Sequence, residues 1–357
     1  MADYSLRFKK TFVDYARDDS LFLTILPTEK CNFRCVYCYE DFLIPAMRRS
    51  VLKGIKNLLS NSAPHLKKLS ISWFGGEPTL NSPAALNIME EAQCLKKRYG
   101  FSLSSNMTTN SYLLDQDLFR QFVKLGITSY QVSLDGNERA HNTTRVLANG
   151  GGTFDRIWAN LRSFKAVEDS FQVTLRLHIT KFNSESMLEL CYRIKEELWD
   201  DTRFSTYIRQ ISNLGAGISG QVKNYLPEKD EVAESISKMK QILSRTSSSL
   251  GSDRVTDIAS FINDKTDHHI CYAAAPRAFV IRANGRIAKC TVAFNSPSND
   301  LGYLDPDGSL IIDDVKQDIW SRGFATLHAD SLICPAKNFP KLEPREAKNL
   351  IPVVQVA

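Results

Sequence analysis

Three cysteines within eight residues, Cys31, Cys35 and Cys38, stand in the spacing C-x3-C-x2-C. Thiolates this close can converge on one metal centre. A cubane iron–sulfur cluster has four irons, so three cysteines leave one iron without a protein ligand, where a small molecule can bind. Zinc normally takes four ligands, commonly as paired C-x2-C units, and no fourth thiol lies nearby. A disulfide pair would leave one cysteine over. Eight cysteines in 357 residues, with no apolar signal-type core at the N-terminus, point to metal or redox chemistry rather than a disulfide scaffold. Cys94 and Cys191 sit in helical patterns and are expected to be buried thiols.

A second group of residues could hold what the open iron takes. Gly75-Gly76-Glu77-Pro78 follows the strand-like LKKLSISWF. Paired glycines at a strand end let backbone carbonyls approach a ligand closely. Asn110 ends the segment TTN, and Ser133-Leu134-Asp135-Gly136 ends another strand. The loop beyond carries His141-Asn142-Thr143-Thr144-Arg145. A guanidinium matches a carboxylate bidentately, so Arg145 reads either as a carboxylate clamp or as a partner of Asp135. His141 reads first as a structural hydrogen-bonding residue. Arg176 lies in the apolar strand VTLRLHIT, where a charge needs a partner: a bound carboxylate or a barrel acid.

A third group lies towards the C-terminus. Cys271 and Cys290 bracket FVIRANGRIAKC, in which Asn284-Gly285 is a strong hairpin signal. Cysteines at the base of a hairpin face each other, as metal knuckles do. Cys334 follows in SLICP. His268 and His269 lie just upstream of Cys271 and read as a helix end before they read as a fourth ligand.

The elements that must position these residues alternate. A strand at 21–26 leads into the cysteine loop. Helices are expected over 46–60, 82–98, 115–125, 153–167 and 184–198. Strands are expected over 66–74, 101–107, Ser129–Leu134, Gln172–Ile179 and Arg203–Ser212, with a polar loop at 135–152. Such alternation implies right-handed parallel units, with chemistry at the C-terminal strand ends. The Gly/Ser-rich stretch 213–225 reads as a linker, the helix near 227–245 as a solvated connector, and Ser247-Ser248-Ser249 with Gly251 as a break. The chain divides into an N-terminal extension 1–20, a barrel 21–212, a linker and bridging helix 213–254, a smaller module 255–345 and a tail 346–357.

The cysteine spacing after a strand, with Tyr37 before the last cysteine and the glycine turn one β/α unit later, resembles the radical S-adenosylmethionine (SAM) superfamily. The segments Ser133–Gly136 and His141–Arg145 resemble its peptide-modifying branch, with Asn142 in place of an acid. Cys271, Gly285 and Cys290 resemble the opening of that branch's SPASM and twitch domains. Ser331 replaces one cysteine of a full domain there, and Pro340 and Pro344 stand near where others would fall. The resemblance implies an α/β fold, a partial (β/α)6 TIM-like barrel with a C-terminal twitch or degenerate SPASM module. It implies a [4Fe–4S] cluster on Cys31, Cys35 and Cys38, with SAM held by Tyr37, Gly75, Gly76, Glu77, Pro78, Asn110, Ser133, Arg145 and Arg176. It further implies one auxiliary iron–sulfur cluster on Cys271, Cys290 and Cys334, and no second one. The implied activity is reductive cleavage of SAM to a 5′-deoxyadenosyl radical, with hydrogen abstraction from a ribosomally made precursor peptide to give a crosslink, thioether or epimer. Thr291 stands where sulfatase-maturing enzymes carry an acid. A formylglycine-forming or small-molecule radical SAM enzyme is the runner-up, and an iron–sulfur electron-transfer or binding protein the reading from another class, against which the glycine turn speaks. No residue is singled out as the catalytic acid or base.

Composition excludes several partners. The net charge of +5 is scattered and demands neither nucleic acid nor an anionic membrane. No apolar run reaches spanning length, so a cytoplasmic protein is expected. Its expected partners are the precursor peptide and an electron donor such as a flavodoxin or ferredoxin. The stretch ahead of the barrel is too short for a peptide-recognition domain. Recognition is therefore expected from the barrel mouth, the second module or a separate peptide-recognition protein.

Overall fold

The computed structural model describes residues 6–214, 222–244, 254–257, 269–337, 339 and 351–352. Part of the expected linker (215–221), the Ser247–Gly251 break, His268, Pro340, Pro344 and the tail apart from 351–352 lie outside them.

Six strands, β1 (Ser20–Ile25), β2 (Lys68–Trp73), β3 (Ser102–Thr109), β4 (Ile127–Leu134), β5 (Gln172–Ile179) and β6 (Phe204–Gln210), pair in sequence order, all parallel. Helices Arg49–Ser62, Ser82–Tyr99, Gln116–Lys124, Phe154–Phe164 and Ser184–Glu197 return the chain between them. Two short strands lengthen the parallel run to eight. β7 (Val255–Asp257) joins β6, and β8 (Ala278–Ile281) joins β1. The strand at 255–257, grouped from sequence with the second module, therefore belongs to the barrel sheet. From β8 the sheet turns antiparallel through β9 (Arg286–Ala288), β10 (Gly302–Leu304) and β11 (Leu310–Ile312). The sheet stays open, with β7 at one edge.

Alternation along the strands decides which face meets the helices. Leu21, Leu23 and Ile25 of β1, Leu69, Ile71 and Trp73 of β2, and Val173, Leu175 and Leu177 of β5 are buried in the core. The opposite face carries Thr24, Ser70, Ser72, Ser104, Asn106, Thr108, Gln131, Thr174 and Arg176. A closed eight-stranded barrel fills its interior with branched apolar layers; this open one has a polar lumen. A cavity of about 520 Å³ occupies it between β1, β2 and β3, from Asp14 and Tyr15 up to Phe74 and Thr108.

Three expectations fail locally. The polar loop at 135–152 contains a helix, Glu138–Thr144, started by the Asn137 side chain accepting the Ala140 N–H at 3.0 Å. The helix read as a solvated connector, Lys229–Leu243, packs on Ser184–Glu197 and buries Met239 and Leu243 completely. Its apolar residues close the β6–β7 crossover. Cys191 is buried as expected, but Cys94 is exposed, because Ala92 and Leu95 take the inward face of their helix.

Candidate active site

The cysteine loop leaves β1 at Leu26 and is held on two sides. Its backbone zips to the segment after the Glu138–Thr144 helix. Arg34 N–H donates to the Val146 carbonyl at 2.8 Å, Val36 N–H to Thr144 at 3.0 Å, and Ala148 N–H to Asn32 at 2.7 Å. This brings Arg145 beside Cys35. On the other side lies the glycine turn. Gly75 has φ 128°, the left-handed side that favours glycine. A Cβ on Gly75 would run into the Thr28 carbonyl, and one on Gly76 into the Lys30 and Glu29 carbonyls. The Glu77 N–H donates to Lys30 O at 3.0 Å. The glycines are thus required by close packing on the cysteine loop.

Glu77 is buried and fully engaged. One carboxylate oxygen accepts the Thr79 N–H (3.0 Å), Thr79 Oγ1 (2.6 Å) and Thr109 Oγ1 (2.7 Å); the other accepts the Asn110 N–H (2.6 Å). It ties the β2 turn to the end of β3. Asn110 in turn donates from Nδ2 to Asn32 Oδ1 at 2.8 Å and accepts the Tyr112 N–H at 2.9 Å. Its amide braces the loop around Cys31.

A cavity of about 500 Å³ opens at the C-terminal strand ends. Cys31, Cys35 and Cys38 line it, with Tyr37, Gly75, Gly76, Glu77, Asn110, Ser133, Arg145 and Arg176. Pro78 does not; it is buried at the start of the turn behind. Among the described residues Arg145 pairs directly with no acid. Its Nη1 donates to the Tyr37 hydroxyl at 2.9 Å, and that hydroxyl lies 2.7–2.8 Å from both oxygens of Asp135. The Arg145 and Arg176 Nε atoms are buried and have no hydrogen-bond partner among the described residues.

Asp135 is the electrostatic hub beneath. Burial alone would raise its pKa, but the His178 hydrogen bond and the Arg145 charge hold it well below the usual carboxylate range. His141 is structural: burial holds it neutral to about 3, and its ring meets the Asp135 N–H at 3.3 Å and Thr153 Oγ1 at 3.1 Å. The sequence reading missed His178, Arg209 and Glu40, which also line the cavity. His178 was within reach of a period-of-two count, since it shares a face with Arg176; Arg209 was not, because only the register of β6 on β5 sets it beside His178.

Burial raises the three thiols, Cys38 to about 12. The Phe33 N–H donates to Cys31 Sγ at 3.3 Å, and the Glu40 N–H bonds Cys38. In the second module the Val292 N–H donates to Cys290 Sγ at 3.4 Å, and the Ala273 N–H bonds Cys271. Each is an amide two residues on, which favours the thiolate that a metal requires. Cys334 is brought near by the Cys271 N–H donating to Leu332 O at 2.8 Å. Burial raises Cys271 to about 11. Of the described residues of this module, Tyr272, Thr291 and Val292 reach the mouth cavity; its three cysteines do not. Among the described residues no group of three or more His, Cys, Asp and Glu could hold a metal ion. That arrangement concerns one ion, whereas a cubane spreads its thiolates over several irons.

Fold and site together define a class. Residues 25–191 match the family model of the Radical SAM superfamily, and this part of the chain is a radical SAM domain. Membership implies a [4Fe–4S] cluster and SAM. The donor set fits both: three cysteines line one cavity, and the buried Arg145 Nε there has no hydrogen-bond partner among the described residues and suits the one carboxylate of SAM.

Its relatives narrow the neighbourhood. The chain is 26% identical over 207 residues to a cysteine-type anaerobic sulfatase-maturating enzyme of Clostridium perfringens, covering 54% of this chain and 53% of that protein. It is 30% identical over 125 residues to a GTP 3′,8-cyclase of Haemophilus influenzae, 34% of this chain and 35% of that one. The chain spans about half the length, or less, of these curated relatives. Among solved structures it resembles native anSMEcpe with bound AdoMet and Kp18Cys peptide (TM-score 0.61, 20% identity, 80% of this chain and 78% of that one). It also resembles Streptococcus suis SuiB bound to precursor peptide SuiA (TM-score 0.57, 15% identity, 88% and 67%). These likenesses concern the fold. No helix among the described residues is long and apolar enough to cross a membrane.

Proposed function

We propose that this chain is a peptide-modifying radical SAM enzyme, with Cys31, Cys35 and Cys38 holding the cluster at the mouth cavity. When bound, the cluster supplies the electron that splits SAM into methionine and a 5′-deoxyadenosyl radical. The observation that carries the reading is one cavity lined by the three cysteines, the glycine turn and two guanidinium groups with unpartnered nitrogens. Gly75 and Gly76 would hold the cofactor's ammonium at the turn that Glu77 and Pro78 fix. Ser133 and Arg145 would bind its carboxylate and ribose. Tyr37 holds Arg145 in place, Asn110 braces the cysteine loop, and Arg176 borders both the cofactor and the lumen.

The peptide part rests on the lumen. The mouth cavity shares Phe74, Thr108, Tyr272 and Thr291 with the lumen cavity below it. Rows of serine, threonine and asparagine there offer donors and acceptors to an extended backbone. The fold neighbours crystallised with peptides support the same reading. Cys271, Cys290 and Cys334 would hold one auxiliary cluster, reached from the mouth through Tyr272 and Thr291. A second reading, oxidation of a Cys or Ser residue to formylglycine, is favoured by the Clostridium relative. The test is 5′-deoxyadenosine formation by anaerobically reconstituted protein under a strong reductant, with and without peptides. Stimulation by a peptide is expected; stimulation by nucleotides alone would overturn the peptide assignment.

A further inference from the structure

Three guanidinium groups line the mouth cavity: Arg145, Arg176 and Arg209. None forms an ion pair among the described residues. Arg145 is fastened to the cysteine loop through its neighbours and through Tyr37. Arg176 and Arg209 stand apart, on adjacent parallel strands. Register pairs Arg176 with Tyr207 and His178 with Arg209, so both arginines face the lumen as diagonal neighbours. Burial and the Arg209 charge together lower the Arg176 pKa, and the Arg176 Nε is buried without a partner among the described residues. Two cations held side by side without a counter-ion are costly unless something anionic joins them.

The acids lining the cavity do not serve. Glu77 spends both oxygens on Thr79, Thr109 and Asn110. Glu40 forms no ion pair among the described residues, and its buried Oε1 meets no hydrogen-bond partner there. SAM carries a single carboxylate, and Arg145 lies beside the cysteines for it. We propose that Arg209, with Arg176 beside it, forms a subsite for a carboxylate side chain of the peptide substrate, a Glu or an Asp. A guanidinium pair suits a planar two-oxygen anion. This rests on the peptide-modifying reading above and specifies the substrate class.

Two fluorescent pools of random hexapeptide amides, one with central Glu and one with central Gln, are titrated into SAM-loaded reconstituted protein and followed by anisotropy. The Glu pool should bind roughly tenfold tighter, as expected for one charged hydrogen-bonded contact, and the preference should weaken with salt. Arg209→Gln should erase it; Arg209→Lys should restore part of it, and keeps the test decisive if the first variant does not fold. Equal binding of the pools, or a preference that survives in Arg209→Gln, would overturn the subsite. Displacement of the Glu pool by GTP at lower concentration than by the unlabelled pool would overturn the peptide carboxylate in favour of a phosphate. Wild-type 5′-deoxyadenosine formation is read in parallel. Its absence would fail the catalytic reading alone, while the pool comparison still decides the subsite.

Discussion

The two cysteine trios share local chemistry and differ in their surroundings. Around both, amides two residues on from a cysteine bond its sulfur. The first trio is clamped between the glycine turn and the 144–148 segment and opens into a cavity with three guanidinium groups. The second lies around an antiparallel ribbon whose strand β8 joins β1, and its cysteines do not line that cavity. Behind it Lys289 is fully buried, its Nζ donating to Ala275 O at 2.6 Å. Amide-to-sulfur bonds alone suit a thiolate site; an open cavity with unpaired cations makes one fit for chemistry on a ligand. Under the proposed reading the second trio would hold an auxiliary cluster, with Tyr272 and Thr291 between it and the mouth.

The largest effect should come from breaking the first trio. Cys31, Cys35 and Cys38 changed together to Ala should reduce 5′-deoxyadenosine formation to background, whatever the state of the second module. Wild-type yield from that variant would erase the distinction between the trios. Nearly as large should be Gly76→Val. Its side chain would displace the Lys30 and Glu29 carbonyls, and with them the cysteine loop. Iron and SAM affinity should fall together, measured by metal analysis and SAM titration. Lost SAM affinity with full iron would return the turn to a cofactor contact separate from the loop.

That second outcome marks what was legible in the sequence. Short-range pattern was: strand–helix alternation, and the strand Gln172–Ile179 to the residue. Pairings across the chain were not. Nothing near Ala278 announces a parallel partner at Phe22, and nothing near Gly76 says that its neighbour is Lys30. The Glu138–Thr144 helix escaped because ERAHNTT is a poor helix former, held by its Asn137 cap and by Thr144 donating to Asp135 at 2.6 Å. Arg209 escaped because its meaning comes from register with β5.

A smaller effect should separate the trios by count. The first-loop triple variant should retain about four irons per chain on Cys271, Cys290 and Cys334, against about eight in the parent. Adding Cys290→Ala should remove them and lower the melting temperature, since the ligands meet only in the folded module. Iron, sulfide and the paramagnetic spectrum read the result. An iron-free, well-folded triple variant would reduce the module to a cap.

The smallest effect contrasts the proton chemistry of the two regions. In the barrel, burial holds His178 neutral to about 4 and His141 to about 3, against about 6.5 in an unfolded chain. As pH falls from 6.5 towards 4 the unfolded chain takes up protons that the folded one refuses. Stability should therefore be present above 6.5 and fall with acidification, by at most about 1.4 kcal/mol per pH unit for each histidine. In the module the described histidines, His269 and His328, are exposed, and its buried base is Lys289, lowered by burial to about 7. There the unfolded chain binds the extra proton between about 10.5 and 7, so stability should fall as pH drops through that higher window. Thermal unfolding from pH 10 to 5 should show two separate declines. Lys289→Met should flatten only the alkaline one. His178→Asn should shallow only the acid one, since Asn can still meet Asp135 but cannot take up a proton. An acid decline unchanged in His178→Asn would mean that His178 already carries its proton in the fold, paired with Asp135 as an ion rather than held neutral beside it.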